Sequence, residues 1–323
     1  MPMNSLASCW VVTDGKIGME NQCLGLASAL GLAPSVKRVK LRFPWTALAP
    51  YLKVGLKSAF SPQSDAIAPP WPDLLIATGR QSIPASLLAR KASGGKTLTV
   101  QLQDPVIAPA NFDLVVVPQH DGLRGPNVVV TKGALHRVTP EVLKAEAEKF
   151  ASTFSNFKAP LIAVLIGGTN AVYQLTPAEM TPLAKQLAKL AKTTGGSLLI
   201  TPSRRTGDEN IAILKKALRN MPSYIWDGEG ENPYFALLAL ADYILPTCDS
   251  VNMVTEACST GKPVLVIDLP GGSDKFRRFH DMMRQEDFTR DFEGKLENYS
   301  YKPLDDMAMV AARVKHAMAQ RGF

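Results

Sequence analysis

Cysteine is scarce in this sequence, and none of it has the spacing of a metal site. The 323 residues include only four cysteines and no C-x-x-C pair: Cys9, Cys23, Cys248 and Cys258. Each lies within an apolar pattern, as expected of buried thiols in a reducing compartment. We therefore expect core packing for these residues, and neither a disulfide framework nor a zinc site.

Long apolar runs are also missing. The run Leu161–Ile166, for example, has the length of a strand, whereas a membrane-spanning helix needs about 18 apolar residues. The N-terminal segment has no basic region, and its short apolar stretch ends at Asp14, so no secretory signal is expected. These features predict a cytoplasmic protein, for which a peripheral position on the inner membrane is the further expectation.

Acidic residues are absent between Glu20 and Asp65. The same stretch holds six basic residues: Lys37, Arg38, Lys40, Arg42, Lys53 and Lys57. It accounts for most of the net charge of +7. Such an excess favours an anionic partner, which is a nucleotide phosphate, a nucleic acid or an acidic membrane surface.

An apolar stripe runs through this basic segment. Its members recur every three or four positions: Trp45, Leu48, Leu52, Leu56 and Phe60. A basic helix with such a face lies on anionic membranes, and packing against a neighbouring sheet is the alternative. We predict a contact with an anionic membrane surface at residues 37–60. No nucleic-acid partner is expected, because no nucleic-acid-binding motif interleaves with the charge.

Short β-rich runs alternate with helical patterns, which is typical of parallel α/β architecture. The length suits two domains, and a helical, charged stretch at 140–158 separates two such alternations. We place an N-terminal domain at residues 1–152 and a C-terminal domain at 153–302, with a last helix at 303–323 packing back on the first. Two doubly wound domains in tandem would form a cleft at the carboxyl ends of their strands.

The most informative block is Thr247–Val264, which follows an apolar strand and opens a helix. Asp249 or Ser250 can cap this helix, whose first N–H groups then favour an anion. Glu256, about two turns further, has the position of a carboxylate that accepts both hydroxyls of a ribose. A capped helix with a Gly261 stop explains the block equally well when it is taken alone.

Three other predicted strand ends carry polar loops. Gly167 and Gly168 permit a close backbone approach to a phosphate. Residues 201–207 place Arg204 and Arg205, flanked by Ser203 and Thr206, where bidentate phosphate binding is natural. The loop at 226–234, which includes Asn232, can meet a nucleobase edge. Tight turns and solvated arginines are the alternatives for each loop by itself.

Strand ends of the first half supply candidate bases. The loop at 12–18 runs from strand to helix and includes Asp14 and Lys16, but it matches neither G-x-G-x-x-G nor a P-loop. Dehydrogenase and P-loop kinase functions are therefore not favoured. Later strand ends carry four further candidates: Arg80, Asp104, His120 and Asp121. For each of them, the alternative is a structural role in a turn or a helix cap.

Taken together, these motifs resemble the bacterial form of the mitochondrial fission (elongated-mitochondria, Elm) family, a branch of the GT-B glycosyltransferase superfamily. The resemblance covers nearly the whole length and rests on six groups of residues: Thr13–Lys16 with Glu20–Gln22, Gln103–Pro105, Pro118 with 120–122, Ser203–Thr206, Glu231–Pro233, and Asp249, Ser250, Met253, Glu256 and Ala257. It implies a GT-B-like α/β fold, with two Rossmann-like doubly wound parallel-sheet domains and an interdomain cleft.

The resemblance also implies roles for these residues. Donor-binding residues of the second domain would be Gly167, Gly168, Ser203, Arg204, Arg205, Thr206, Asn232, Asp249, Ser250, Met253 and Glu256, with Glu256 on the ribose. The first domain would bind the acceptor through Lys16, Arg80 and Asp121. Its catalytic base would be Asp14 or Asp104, and His120 is the next candidate. No DxD motif is present, so no metal or cofactor is expected, and a UDP-sugar is the expected donor substrate.

The leading hypothesis is therefore a glycosyltransferase that moves a sugar from a nucleotide donor, a UDP-sugar, to a lipid or envelope-glycan hydroxyl at the membrane surface. A nucleotide-sugar epimerase or hydrolase of the same fold is one alternative. The other is a non-enzymatic membrane adaptor, since eukaryotic members of the resembled family are associated with recruiting division machinery to mitochondria.

Overall fold

A computed structural model of the protein describes residues 7–323. Residues 1–6, which fall in the segment considered above for a secretory signal and in the expected domain at 1–152, lie outside the described residues. The chain forms two compact units. The first combines residues up to Arg137 with Asp305–Phe323, and the second is Val138–Leu304.

The strands and helices alternate in both units. The strands are β1 (Cys9–Thr13), β2 (Ser35–Arg38), β3 (Leu74–Thr78), β4 (Leu98–Leu102), β5 (Leu114–Pro118), β6 (Val128–Thr131), β7 (Leu161–Ile166), β8 (Ser197–Pro202), β9 (Ser223–Ile225), β10 (Tyr243–Pro246), β11 (Leu265–Val266) and β12 (Arg290–Asp291). The helices are α1 (Ile17–Ala29), α2 (Trp45–Leu48), α3 (Ile83–Ala92), α4 (Pro140–Lys149), α5 (Ala151–Phe154), α6 (Pro177–Thr194), α7 (Asp208–Ala217), α8 (Tyr234–Leu240), α9 (Val251–Cys258), α10 (Asp274–Gln285) and α11 (Met307–Ala319).

A parallel six-stranded sheet in the order β2-β1-β3-β4-β5-β6 forms the centre of the first unit. The strands β1, β3, β4 and β5 are buried along their whole length, because helices cover a parallel sheet on both faces. On one face α1 packs against α11, whose Val310 and Val314 are fully buried with Leu26 of α1. The sheet core is therefore completed by a helix from the far end of the chain.

The second unit has a parallel sheet in the order β10-β7-β8-β9. The short strand β11 continues beside β10 through parallel bridges such as Thr247 to Ile267, and it pairs with β12. Helices α4 and α5 also belong here: α4 contacts α8, and Phe154 packs edge-on against Tyr224 with ring centroids 5.1 Å apart. The contacts thus divide the chain at 137 and 304, compared with the boundaries at 152 and 302 expected from the sequence.

The apolar stripe at 45–60 indicated a single amphipathic helix, and this expectation is wrong. Only Trp45–Leu48 is α-helical, and one 3₁₀ turn follows at Leu56–Ser58. Pro50 has no N–H to continue the helix, Ala49 is extended with ψ 138°, and Gly55 is left-handed with φ 62°. The segment is a series of turns, so its apolar side chains do not share one helical face.

The four cysteines are free and buried, which confirms their predicted core packing. Burial raises the pKa of the Cys9 thiol to about 12 and that of Cys23 well above its usual value. Within residues 7–323, no helix has the length and apolar character required to cross a membrane.

Candidate functional site

Three polar loops meet at the carboxyl edge of the second sheet. They follow β7, β8 and β10, which lie side by side in parallel register, with Leu165 opposite both Thr201 and Pro246. The carboxyl ends of neighbouring parallel strands share one edge of the sheet. The residues 166–170, 201–207 and 247–250 are therefore neighbours.

The backbone amides of Gly167 and Gly168 form hydrogen bonds to the loop that follows β10. The N–H of Gly167 donates to Thr247 Oγ1 at 2.8 Å, and the N–H of Gly168 donates to Asp249 Oδ2 at 3.1 Å. A Cβ on Gly167 would lie 2.2 Å from Asp249 Oδ2, so only glycine fits there. The two glycines thus allow a close approach of the neighbouring loop, and their amides are used within the protein.

The loop after β8 is tied to the same backbone. Thr206 Oγ1 donates to the carbonyl oxygen of Gly167 at 2.8 Å, and the hydroxyl of Ser203 donates to that oxygen at 2.5 Å. The N–H of Arg205 in turn donates to Ser203 Oγ at 3.1 Å. Ser203 and Thr206 therefore hold the position of the arginine pair.

Asp249 and Arg205 form an ion pair across two of these loops. Arg205 Nη1 lies 2.6 Å from Asp249 Oδ2, and the Asp249 side chain is completely buried. Thr247 Oγ1 donates to the other carboxylate oxygen at 2.6 Å. The charge of Arg205 is therefore balanced internally. The neighbouring Arg204 is exposed and makes no ion pair with any described residue, so it carries the uncompensated positive charge of this loop.

Helix α9 begins beside this pair. Ser250 is extended and caps the helix, with its Oγ accepting the N–H of Met253 at 3.3 Å. The first N–H groups of a helix have no intrahelical acceptor, and together with the helix dipole they favour an anion. The predicted capping role of Ser250 is confirmed.

Glu256 lies on the same helix and is buried, with 6% of its surface exposed. The hydroxyl of Tyr234, the first residue of α8, donates to Glu256 Oε2 at 2.5 Å. Burial raises the pKa of the Glu256 carboxyl to about 7, and the hydrogen bond from Tyr234 opposes that rise. Asn232, which is exposed, lies two residues before α8 begins, and its Oδ1 accepts the N–H of Tyr234 at 3.0 Å.

A cavity of about 530 Å³ opens next to these loops. Its lining includes Tyr173, Cys248, Asp268, Gly272 and His280. His280 Nε2 lies 2.8 Å from the carbonyl oxygen of Cys248, and burial lowers the pKa of the imidazole. The cavity has the size of a small polar ligand.

The candidate bases of the first unit lie at the carboxyl edge of the first sheet. Asp14 follows β1 and pairs with Lys16 at 2.7 Å, while its carboxylate is mostly buried. His120, after β5, is buried and lies 3.7 Å from the carboxylate of Asp121. Arg80, after β3, donates to the carbonyl oxygen of Ala49 at 2.5 Å.

Asp104 follows β4 in a strained turn. Its Oδ1 accepts the N–H of Val106 at 2.8 Å. Gln103 and Val106 flank it in the left-handed region, with φ 69° and 65°, which is rare for a residue other than glycine and especially for a β-branched one. Backbone strain of this kind concentrates at functional sites.

Sequence reasoning missed three polar contacts at these edges. Arg38 makes a bidentate ion pair with Glu20, at 2.9 and 2.7 Å, although its position in the acid-free segment assigned it to a membrane surface. Thr247 and Tyr234 were also missed as partners of Gly167 and Glu256. For Tyr234 the available signal was the Asn232-Pro233 pair. Such a pair marks a turn, and here it lies between a strand end and the helix that Tyr234 begins.

No group of three or more His, Cys, Asp or Glu side chains within residues 7–323 is arranged to hold a metal ion.

A family model described as mitochondrial fission ELM1 matches residues 17–318. The mitochondrial fission protein ELM1 of Arabidopsis thaliana is 28% identical over 97% of this chain and 91% of its own length. An uncharacterised protein of Rickettsia prowazekii (strain Madrid E) is 26% identical over 96% of this chain and 98% of its own length.

Among solved structures, a UDP-GlcNAc 2-epimerase from Methanocaldococcus jannaschii superposes with a TM-score of 0.55 at 12% identity, covering 97% of this chain and 99% of its own. S. aureus MnaA, solved with UDP, has a TM-score of 0.54 at 14% identity and 95% coverage of both chains. The epimerase from Neisseria meningitidis, bound to UDP-GlcNAc, has a TM-score of 0.52 at 13% identity, covering 97% of this chain and 100% of its own. These are GT-B proteins, and the expected GT-B-like α/β fold is confirmed.

Proposed function

Because the chain belongs to the mitochondrial fission ELM1 family and has a GT-B-like fold, we propose that it is a glycosyltransferase using a nucleotide-sugar donor, a UDP-sugar. The acceptor is a hydroxyl of a lipid or envelope glycan at the inner membrane surface. The observation that carries the proposal is Glu256, a buried carboxylate in a helix whose capped N-terminus lies at the carboxyl edge of the sheet.

The donor site follows from the charges at this edge. A diphosphate at the start of α9 receives N–H groups and the helix dipole, and Arg204 supplies the nearby uncompensated positive charge. Arg205 neutralises Asp249, so the buried carboxylate does not repel the phosphates. Structural neighbours solved with UDP or UDP-GlcNAc support a uridine nucleotide as the ligand.

The reaction needs one base on the acceptor side. The acceptor oxygen attacks the anomeric carbon as its proton passes to the base, and the bond from that carbon to the nucleoside diphosphate breaks. Asp14 and Asp104 are the proposed bases, and His120 is the next candidate. Asp104 keeps one carboxylate oxygen outside its bond to Val106, whereas Asp14 is partly neutralised by Lys16.

Membrane contact is part of the proposal, but it rests on side chains exposed in turns and not on one face of a helix. The turns after β2 expose Phe43, Tyr51 and Val54, at 81%, 64% and 71% of their surface. These side chains share the acid-free stretch with Arg42 and Lys53. Exposed apolar side chains among basic ones suit the interface of an anionic bilayer.

Calorimetry with UDP tests the donor site. We expect binding by the wild-type protein, and about tenfold or greater weakening in Glu256→Gln and in Arg204→Gln, since each loses a charge-assisted contact. Arg219→Gln is the matched control, because Arg219 is exposed in the same unit. Undetectable binding of every nucleoside diphosphate would overturn the proposal. An epimer seen by NMR after incubation with UDP-GlcNAc would replace transfer by epimerisation.

Vesicle flotation tests the membrane contact. We expect the protein to float with vesicles containing phosphatidylglycerol and to stay in solution with neutral phosphatidylcholine vesicles. The double variant Phe43→Ser with Val54→Ser should lose flotation, whereas Met309→Ser, at an exposed position of α11, should keep it. Equal flotation of both variants would contradict this part of the proposal.

A further inference from the structure

A cavity of about 310 Å³ lies at the amino edge of the first sheet. Its lining includes Leu98 and Leu114, the first residues of β4 and β5, together with side chains of α11. The candidate bases Asp104 and His120 follow the other ends of these strands. Each strand has five residues, which span about 16 Å. The cavity is therefore separate from the edge at which the proposed bases lie.

One side of α11 supplies polar groups to this cavity. Arg313, His316 and Gln320 line it, and their spacing of three and four residues places them on the same side of the helix. Val310 and Val314 form the neighbouring stripe and are fully buried in the core of the first unit. The helix therefore packs through one stripe and presents the next one to the cavity.

Asp113 is the single acidic residue among the described residues that line the cavity, and its carboxylate is already saturated. Its Oδ1 accepts from Arg321 Nη2 at 2.6 Å and from Arg90 Nη2 at 3.1 Å. Its Oδ2 accepts the N–H and the hydroxyl of Thr99, both at 2.8 Å. Two guanidinium groups thus outweigh one carboxylate.

Arg313 adds a third guanidinium group to this region. It is exposed and makes no hydrogen bond or ion pair with any residue in the described part of the chain. Arg321 also keeps a donor, since Nη1 serves the carbonyl oxygens of Gly95 and Lys96 and Nη2 serves Asp113, which leaves the Nε N–H for a ligand. The three guanidinium groups exceed the carboxylate by two positive charges.

A phosphate dianion fits this excess. Guanidinium groups bind phosphate oxygens through paired N–H donors, and a phosphomonoester carries close to two negative charges at neutral pH. A carboxylate or a phosphodiester carries only one. The cavity volume suits a small molecule.

We propose that this cavity binds the phosphate group of a small molecule, either inorganic phosphate or a phosphomonoester. Arg313 and Arg321 bind the phosphate oxygens, and His316 and Gln320 supply further donors. The inference is independent of the proposed function, because the cavity lies in the first unit and away from the loops of the donor site.

Histidine ring NMR tests the site, because the chain has only four histidines and His316 lines the cavity. Inorganic phosphate is titrated into the wild-type protein at constant ionic strength, and the His316 signal is identified by its absence in His316→Gln. We expect this signal to shift saturably. It reports on this cavity, so phosphate bound at the start of α9 does not confuse the measurement.

A charge-matched pair of variants locates the binding. Arg313→Gln should weaken phosphate binding about tenfold, since it removes charge-assisted hydrogen bonds. Lys315→Gln removes the same charge from an exposed position of α11 that lies about 200° around the helix from Arg313. It should leave the affinity within about twofold of the wild type. Both variants change exposed side chains, so both are expected to fold.

Glycerol 3-phosphate identifies the source of the phosphate group. If it shifts the His316 signal at lower concentration than inorganic phosphate does, the ligand is a phosphomonoester. If inorganic phosphate binds more tightly, the site is one for the free ion.

Three results would overturn the inference. The first is a His316 signal that does not shift or does not saturate in the wild-type protein, which needs no variant to fold. The second is equal weakening in Arg313→Gln and Lys315→Gln, because overall charge would then explain the attraction. The third is acetate binding as tightly as phosphate, which would exclude a site for a dianion.

Discussion

Arg204 and Arg205 are adjacent in the sequence but have different surroundings. Arg205 balances a fully buried carboxylate, whereas Arg204 is exposed. A buried charge that loses its partner destabilises a protein far more than an exposed one does. The two substitutions are therefore expected to separate stability from binding.

Arg205→Gln is expected to destabilise the protein by about 2 kcal/mol, less than for a fully buried pair because Arg205 is itself partly exposed to solvent. The double variant Arg205→Gln with Asp249→Asn should recover most of that loss, since no buried charge remains. Arg204→Gln should keep wild-type stability. Urea denaturation measures all three. Equal losses in Arg205→Gln and Arg204→Gln would show that the ion pair contributes nothing.

Glu256 makes stability depend on pH in a defined direction. Its pKa is raised from 4.5 to about 7 in the folded protein, so between these values the folded state holds a proton that the unfolded chain has lost. The contribution of this group to stability is therefore full below about pH 4.5 and declines as pH rises through 7.

Glu256→Gln removes that decline. The stability of this variant relative to the wild type should rise between pH 5 and pH 8, by at most about 3 kcal/mol. Urea denaturation at both pH values measures the change, and Glu209→Gln, at an exposed position of α7, is the control. A constant difference between the Glu256 variant and the wild type at both pH values would contradict the raised pKa.

At the scale of elements, apolar runs were the most reliable signal. The strands Leu74–Thr78, Leu114–Pro118 and Leu161–Ile166 coincide with apolar runs of the sequence, because strands covered on both faces are apolar throughout. Helix α10 was not predicted, since its charged residues obscure a buried face formed by Phe279 and Met283. At residues 45–60, spacing indicated a helix that Pro50 interrupts.

The candidate site was predictable only in part, because the sequence shows where strands end but not which distant residues meet there. Loops that follow strands were identified from the sequence, because strand ends are readable. Their partners were not, since Arg205 with Asp249 and Tyr234 with Glu256 are far apart in the chain and meet only through sheet order and helix packing.

Helix α1 offers an element-scale prediction at Gly25. A Cβ there would lie 2.2 Å from the carbonyl oxygen of His136, so the helix and the segment 132–137 must separate to admit it. Gly25→Ala should cost about 1–3 kcal/mol, as overpacking does, although alanine favours helices. Ser28→Ala, on the exposed face of α1, is the control and should be neutral or stabilising. Thermal melting distinguishes them.

At the scale of the whole molecule, the two units differ in continuity. The second unit is one uninterrupted stretch, Val138–Leu304, whereas the first is assembled from two stretches that flank it in the sequence. Each unit has its own buried core. The second unit thus has what an independently folding domain needs.

We expect the fragment 138–304 to fold cooperatively by itself, whereas the fragment 7–137 should not, because it lacks α11. Adding a peptide of residues 305–323 should restore folding to 7–137, and the same peptide with Val310→Asp and Val314→Asp should not. Circular dichroism on heating measures each case. Cooperative melting of 7–137 without any peptide would contradict the expectation.

The placement of α11 also sets an order of events during protein synthesis. Ribosomes add about 5–20 residues per second, so the stretch from 138 to 304 takes roughly 10 to 30 seconds to emerge. Throughout that interval the first sheet has been made while the helix that covers Leu26 and its neighbours has not. The apolar surface exposed on the nascent chain is a substrate for chaperones, and the second unit has time to fold before the first is complete.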